Sequence, residues 1–290
     1  MSALPFSSQS SSDPAVASSA APSAQSSTSQ SSTSQSSTSQ SPTSQSPASQ
    51  SSASQSSASQ SSASQSLKGK PPQAVFDNIF AFSPNRETLG GTAYLIVEKN
   101  EAGQQANILV DCPALNDANK AFIQAQGGID TLFITHRGGM AQVKEIQAAF
   151  NAQVLLQEQE AYLLPTVTTE VFHRDRTLSP TSRALWTPGH SPGSACLYHS
   201  AHGGILFTGR HLLPNKAGAP RPLRLSKTFH WPRQLRYAQQ LLTDFTAETL
   251  GTICPGASTG FLRGEKKITD AYAQLQCADW DSLAKSTPVL

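Results

Sequence analysis

Charge is what the beginning of the chain lacks. From Met1 to Leu67 the only charged side chain is Asp13, and Ser, Gln, Ala and Thr supply most of the rest. A five-residue unit (SSTSQ, SPTSQ, SPASQ or SSASQ) repeats without a break from Ser26 to Gln65. Such a segment has almost nothing apolar to bury, so nothing offsets the entropy of ordering its backbone. Residues 1–67 are expected to form a disordered low-complexity tail, a spacer or a target of Ser/Thr modification. Long apolar runs are missing as well. No stretch approaches the roughly 20 residues of a membrane span. The N-terminus has neither a basic region nor a hydrophobic core of a signal peptide, and the tail lacks the arginines of a transit peptide. These absences exclude a membrane partner and predict a cytoplasmic protein. Cysteine is scarce and unpaired in pattern: Cys112, Cys196, Cys254 and Cys277 show no CxxC spacing. Buried, reduced thiols are expected, rather than a disulfide framework or a zinc knuckle. No Gly-x-Ser-x-Gly elbow surrounds Ser191 or Ser194, and neither a phosphate-binding loop nor a dinucleotide fingerprint occurs.

What is present begins after residue 67. About 220 residues suffice for one domain with its own core. Thr92–Val97 and Ile108–Val110 read as strands, bounded by Gly90-Gly91 and by Asp111-Cys112-Pro113. Leu115, Ala118, Phe122 and Ala125 make a helical stripe that Gly127-Gly128 ends. Thr131–Thr135 is a buried strand, Val143, Ile146 and Phe150 mark a second helix, and Val154–Leu156 the strand after it. The middle is strand-rich, at 167–172, 184–187, 194–198 and 205–208. Pro232 starts a helix with the stripe Leu235, Ala238 and Leu242; Thr252–Cys254 is a last strand, and Ile268, Tyr272 and Leu275 a closing helix. This order predicts an α/β domain of two mixed sheets covered by helices.

Four segments give that pattern a family likeness: ILVDCP at 108–113, FITHRGGMAQ at 133–142, TPGHSPGSACLYH at 187–199 and ILFTGRHL at 205–212. Together they resemble the metallo-β-lactamase superfamily, and ICPGAS at 253–258 stands where that family has a Pro-Gly-His turn. The likeness runs from about residue 76 to 265 and implies a four-layered αββα sandwich within residues 68–290. Thr135-His136-Arg137, with TLGGTAYLI at 88–96, is similar to a cyanobacterial and plant branch in which Thr-His-Arg precedes two aspartates.

The resemblance also implies where metal ligands belong, and most are missing. His136 and His190 match ligand histidines. Gly138, Met140, Ala141, Arg210 and Ala257 stand where two histidines flanking an aspartate, the bridging aspartate and the last histidine are expected, so two of seven positions survive. Against the Thr-His-Arg branch, Gly138 and Gly139 replace the aspartates and Gln142 another acidic residue. A hydrolytic zinc or iron site needs His nitrogens and carboxylates converging on a cation with one position left for water. A guanidinium cannot ligate a cation and repels one. The leading expectation is a non-hydrolytic protein without zinc, iron or manganese. It would bind a small anionic ligand or a protein partner at a remodelled pocket of His136, His190, Arg210, His211 and Asp111. The alternative is an atypical hydrolase of a thioester, ester or phosphoester. It would keep one zinc, iron or manganese ion on His136 and His190, helped by His211 or Asp111. Asp111 has a structural reading too, as the residue that holds a turn after its strand.

A third expectation comes from residues 210–243, where Arg210, Lys216, Arg221, Arg224, Lys227, Arg233 and Arg236 occur without one acidic residue before Asp244. With Phe229, His230, Trp231 and Tyr237 interleaved, the run suits an anion or nucleic-acid surface. Its plainer reading is an exposed loop followed by a helix with a basic polar face and a buried aromatic one.

Overall fold

The computed structural model describes residues 69–289, and the expectations for residues 1–67 lie outside the described residues. Seven strands follow one another into a first sheet: β1 (Gln73–Phe76), β2 (Ile79–Ala81), β3 (Tyr94–Ile96), β4 (Ile108–Val110), β5 (Thr131–Phe133), β6 (Gln153–Gln157) and β7 (Thr169–Phe172). The first four pair antiparallel; β4 to β7 pair parallel. The change of sense falls where α1 (Asp117–Ala125) and α2 (Val143–Phe150) carry the chain back, since a parallel neighbour needs a crossover. The chain then builds a second sheet from β8 (Asp175–Thr177), β9 (Ser182–Trp186), β10 (Ala195–His199) and β11 (Ile205–Gly209) as an antiparallel meander. A short hairpin of β12 (Leu213–Pro214) and β13 (Pro220–Arg221) and the helix α3 (Trp231–Asp244) follow. After them β14 (Thr252–Pro255) joins β11 in parallel, and β15 (Ile268–Thr269) closes the edge before α4 (Ala271–Gln276) and α5 (Trp280–Ala284).

Strand alternation sorts the apolar residues into three cores. Tyr94, Ile96, Ile108, Val110 and Phe133 point from the first sheet onto Ala184, Leu197, Ile205 and Phe207 of the second. Their chain neighbours Leu95, Leu109 and Leu132 point the other way, onto Ile123 of α1 and Val143 and Ile146 of α2. On the far side Leu185, Cys196, Leu206 and Ile253 meet Ala238 and Leu241 of α3 and Leu275 of α4. The result is helix, sheet, sheet, helix. Each fully buried Leu, Ile or Phe contributes about 1.5–3 kcal/mol, so this sorting fixes the register of every strand.

Several expectations need correction. Asn116 caps α1 one residue later than the proposed stripe begins; Leu115 lies outside the helix, Asn119 and Ile123 are the buried residues and Ala125 is exposed. Ile268 belongs to a strand, not to the closing helix, which starts at Ala271 after Asp270 turns the chain. All four cysteines are free; Cys112, Cys196 and Cys254, beside apolar strands, are buried as expected, whereas Cys277 is exposed, and burial pushes the Cys196 thiol up to about 12.

At the carboxyl ends of β4, β5, β11 and β14 the two sheets meet. Ala195 donates its N–H to the Thr135 carbonyl at 2.8 Å, and Thr92 donates to Gly256 at 2.8 Å. Deeper in, the Tyr94 hydroxyl lies 2.9 Å from the carbonyls of Pro255 and Lys266, joining β3 to the last strands. Tyr94→Phe keeps the ring but strands two carbonyls in the interior. Chemical denaturation of the variant is expected to show a loss of about 1–2 kcal/mol with an unchanged fold by circular dichroism.

Candidate functional site

The residues that close the sheet ends are laid out by hydrogen bonds that start at Asp111. This residue follows β4 with φ 59°, a conformation that Asp tolerates better than most residues. Its carboxylate is buried and faces Thr135: Oδ1 accepts from the Thr135 N–H at 2.8 Å, and Oδ2 from the Thr135 hydroxyl at 2.7 Å. Burial pushes Asp111 up to about 6, against the pull of the Thr135 bonds and the Arg210 charge, so it is ionised at neutral pH. Since the Thr135 hydroxyl gives its proton to Asp111, it can only accept from His136 Nδ1, 2.9 Å away. The carboxylate thereby sets the tautomer of a ring it does not touch. His136 Nε2 is left as a buried acceptor without a partner.

Glycines make this packing possible. A Cβ on Gly138 would lie 2.9 Å from His136 Nε2, and one on Gly139 2.3 Å from Asp111 Oδ1. Gly209, at φ 51°, presses against the Thr135 side chain, where a Cβ would come within 2.2 Å of the hydroxyl. These positions carry no side chain because the Asp111–Thr135–His136 chain fills the space.

His190 reaches the same place from the loop between β9 and β10. Gly189, at φ 145°, lies directly on the backbone of Gln234 in α3. His230 and Phe229 donate their N–H groups to the carbonyls of Gly189 and His190 at 2.8 and 3.0 Å. The loop is thus clamped to the start of α3, where Pro232 sits in the first turn and His230 Nδ1 accepts from the Arg233 N–H. The His136 and His190 rings meet edge to face, with centroids 5.1 Å apart. Burial, then the charges of Arg210 and Arg137, hold His190 down at about 4; burial, His190, Arg210 and Arg137 hold His136 well below the usual imidazole range. Both rings are neutral at pH 7.

Arg210 follows β11 and is half-buried. Its Nη2 donates to the carbonyls of Leu89 at 2.8 Å and Thr88 at 3.2 Å, in the turn before β3. With His136, Arg137, Gly138, His190 and Lys227 it lines a cavity of about 500 Å³. His211 and Asp111 do not line that cavity; they lie behind its wall, both buried. His211 has no hydrogen-bond partner on either ring nitrogen and is held down at about 3, chiefly by burial, then by His190, with the Tyr237 backbone opposing weakly. Behind Arg137, Glu160 is buried and accepts from Arg137 Nε and the Gly193 N–H, both at 3.2 Å. Glu160 carried no motif signal, and Thr135 and Arg137 carried none beyond their places in Thr-His-Arg. Among the described residues no group of three or more His, Cys, Asp or Glu is placed to hold a metal ion.

The basic run is divided. Arg221 donates to the carbonyls of Pro220, Gln274 and Cys277, and Arg224 to Ser286, so both tie the loop after β11 to the last helices. Trp231 is buried with its Nε1 on the Leu283 carbonyl. These residues serve the fold. A second carboxylate–hydroxyl–imidazole chain, Glu98–Ser182–His199, is buried at the opposite end of the sandwich, with Ser182 Oγ 2.9 Å from His199 Nδ1.

Two predictions arise from this geometry. An Asn side chain at position 111 tolerates the left-handed backbone but presents an amide N–H to Thr135. Asp111→Asn therefore turns the hydroxyl round, and His136 is expected to switch from the Nδ1–H to the Nε2–H tautomer in ¹⁵N-detected NMR of the imidazoles. Stability should also depend on pH. His136, His190 and His211 bind protons in the unfolded chain near 6.5 but in the folded one only far lower, about 4 for His190 and about 3 for His211. The unfolded state therefore takes up more protons as pH falls from about 7, and folding weakens until the folded values are passed. Asp111 works in the opposite direction between about 6 and 3.8, but it is one group against three. His211→Leu removes an unpartnered buried imidazole, so urea titrations should show a flatter pH slope and a gain of about 1 kcal/mol at pH 7.

The sequence matches no protein-family model and no curated protein. Solved structures do match. The chain is similar to a β-lactamase domain protein from Burkholderia ambifaria (16% identity, TM-score 0.50, covering 72% of this chain and 77% of that one). It is equally similar to the metallo-β-lactamase MIM-1 from Novosphingobium pentaromativorans (16% identity, TM-score 0.50, 75% and 91%). A third match is the chemotaxis sensor ODP, solved as a peroxy diiron species (14% identity, TM-score 0.50, 76% and 96%). At these identities the likeness is one of architecture, and it agrees with the two helix-covered sheets: residues 69–289 have the metallo-β-lactamase fold.

Proposed function

We propose that this chain uses the metallo-β-lactamase fold to bind an anionic ligand in the cavity between His136, His190 and Arg210, and that it is not a metal-dependent hydrolase. The observation that carries the reading is Arg210. Its guanidinium is half-buried at the cavity wall, fixed by the Thr88 and Leu89 carbonyls, where the fold's metal chemistry calls for a carboxylate. Only Nη2 is engaged in these bonds, which leaves the other N–H groups of the fork for a ligand oxygen.

The residues present do not fit the fold's divalent cations. Asp111 directs both oxygens to Thr135, Gly138 lies against the one free nitrogen of His136, and a fixed positive charge stands beside the pair of imidazoles. The orphaned nitrogens of His136 and His190 are what a metal pair would leave behind, but two imidazoles without a carboxylate or thiolate make a weak site. As neutral rings they act as walls, and no hydrolytic step is assigned to them.

Two measurements on the full chain test this. After growth with zinc, iron and manganese, mass spectrometry is expected to find metal far below one equivalent. Small monoanions such as acetate are expected to raise the melting temperature saturably, and Arg210→Gln should remove that response. Near-stoichiometric metal, lost in His136→Ala and in His190→Ala, would overturn the proposal in favour of a residual metallohydrolase.

A further inference from the structure

The mouth of the same cavity is apolar in a way the fold does not require. Leu89, Phe229 and Val289 are 64%, 58% and 51% exposed, and with Leu225 all of them line this one opening. Each exposed side chain is fixed by its own backbone. The Leu89 carbonyl accepts from Arg210, and Phe229 donates to the His190 carbonyl. Val289 exchanges hydrogen bonds with Arg224 and Ser226 at 2.7 and 3.1 Å. Leu89 is also held at φ 55°, beside two glycines that would adopt this conformation without strain. A leucine there carries both left-handed strain and exposed apolar surface.

The charges behind the rim balance to one. Among the described residues three cations line the cavity, Arg137, Arg210 and Lys227, and no carboxylate side chain does. Glu160 pairs with Arg137 from behind, and Asp111 lies close enough to Arg210 for their charges to act on each other. Three positive charges against two buried negative ones leave a single net positive charge facing inward.

Building on the anion-binding reading above, we infer that the ligand is an amphipathic monoanion: a monocarboxylate head held by Arg210 and Lys227, with an aliphatic chain lying on Leu89, Phe229, Leu225 and Val289. A cavity of about 500 Å³ is in the range that encloses small-molecule ligands. A dianion such as inorganic phosphate exceeds the charge available, and a bare carboxylate leaves the rim unfilled.

Calorimetric titration of the full chain with acetate, hexanoate, octanoate and decanoate, and with inorganic phosphate, tests this. Affinity should rise about fourfold for each methylene that is fully buried at the rim, and phosphate should bind more weakly than octanoate. Leu89→Gly and Phe229→Ser should flatten the dependence on chain length. Leu89→Gly should at the same time raise the melting temperature, so lost affinity cannot be ascribed to lost folding. Arg210→Gln should weaken every carboxylate. Arg210-dependent acetate binding with no effect of chain length would overturn this inference and leave the anion pocket standing; no carboxylate binding at all would overturn both. Self-association abolished by Phe229→Ser, without carboxylate binding, would assign the rim to a second copy of the chain instead.

Discussion

A carboxylate buried beneath two sheet ends has to be met by donors, and Asp111 finds both of its partners in one residue. Thr135 is the hub that results. Its N–H and hydroxyl serve Asp111, its hydroxyl oxygen receives His136, and its carbonyl takes the Ala195 N–H from the other sheet. An unmet buried carboxylate would cost several kcal/mol, so neighbouring positions conform to this arrangement rather than the reverse. Gly139 and Gly209 are bare because Asp111 and Thr135 occupy the volume a Cβ would need. The cavity wall is what remains once these demands are satisfied.

The Glu98–Ser182–His199 chain shows the same solution where no surviving ligand position is involved. In both, a hydroxyl relays a carboxylate's preference to an imidazole and leaves the far nitrogen bare. A buried, hydrogen-bonded histidine with one bare ring nitrogen is therefore not by itself a mark of metal chemistry in this chain. His211 makes the point more strongly, since neither of its buried ring nitrogens meets a partner and it does not line the cavity. The chemical character of the pocket comes instead from its cations and from the residues of its mouth.

How much of this was legible in the sequence follows from how local each signal is. The strands at Tyr94–Ile96, Ile108–Val110 and Ile205–Gly209 and the Gly189–Gly193 loop announce themselves through composition and short-range turn chemistry. The β1–β2 hairpin did not, because its strands carry few β-branched residues and depend on the sheet they join. The α1 stripe failed by part of a turn, since an Asn cap at 116 set the start and the apolar count did not. In the site, the identity of Arg210 was readable but its direction was not: the carbonyls that hold it lie more than a hundred residues earlier. Leu89 looked like part of a glycine-rich turn, and only the fold places it at the same mouth as Phe229 and Val289.

The Tyr94 hydroxyl has a consequence for how the chain folds. Its two acceptors lie 161 and 172 positions later, Thr92 meets Thr259 across 167, and Lys267 reaches back 192 positions to Val75. Sequence separations of this size make closure a late and slow event. As the chain leaves the ribosome, the first sheet is finished before β9, β10 and β11 exist to cover its inner face. Until then Tyr94, Ile96 and Phe133 have no opposing layer, and a chain stopped before residue 205 is a sticky half-sandwich rather than a smaller protein.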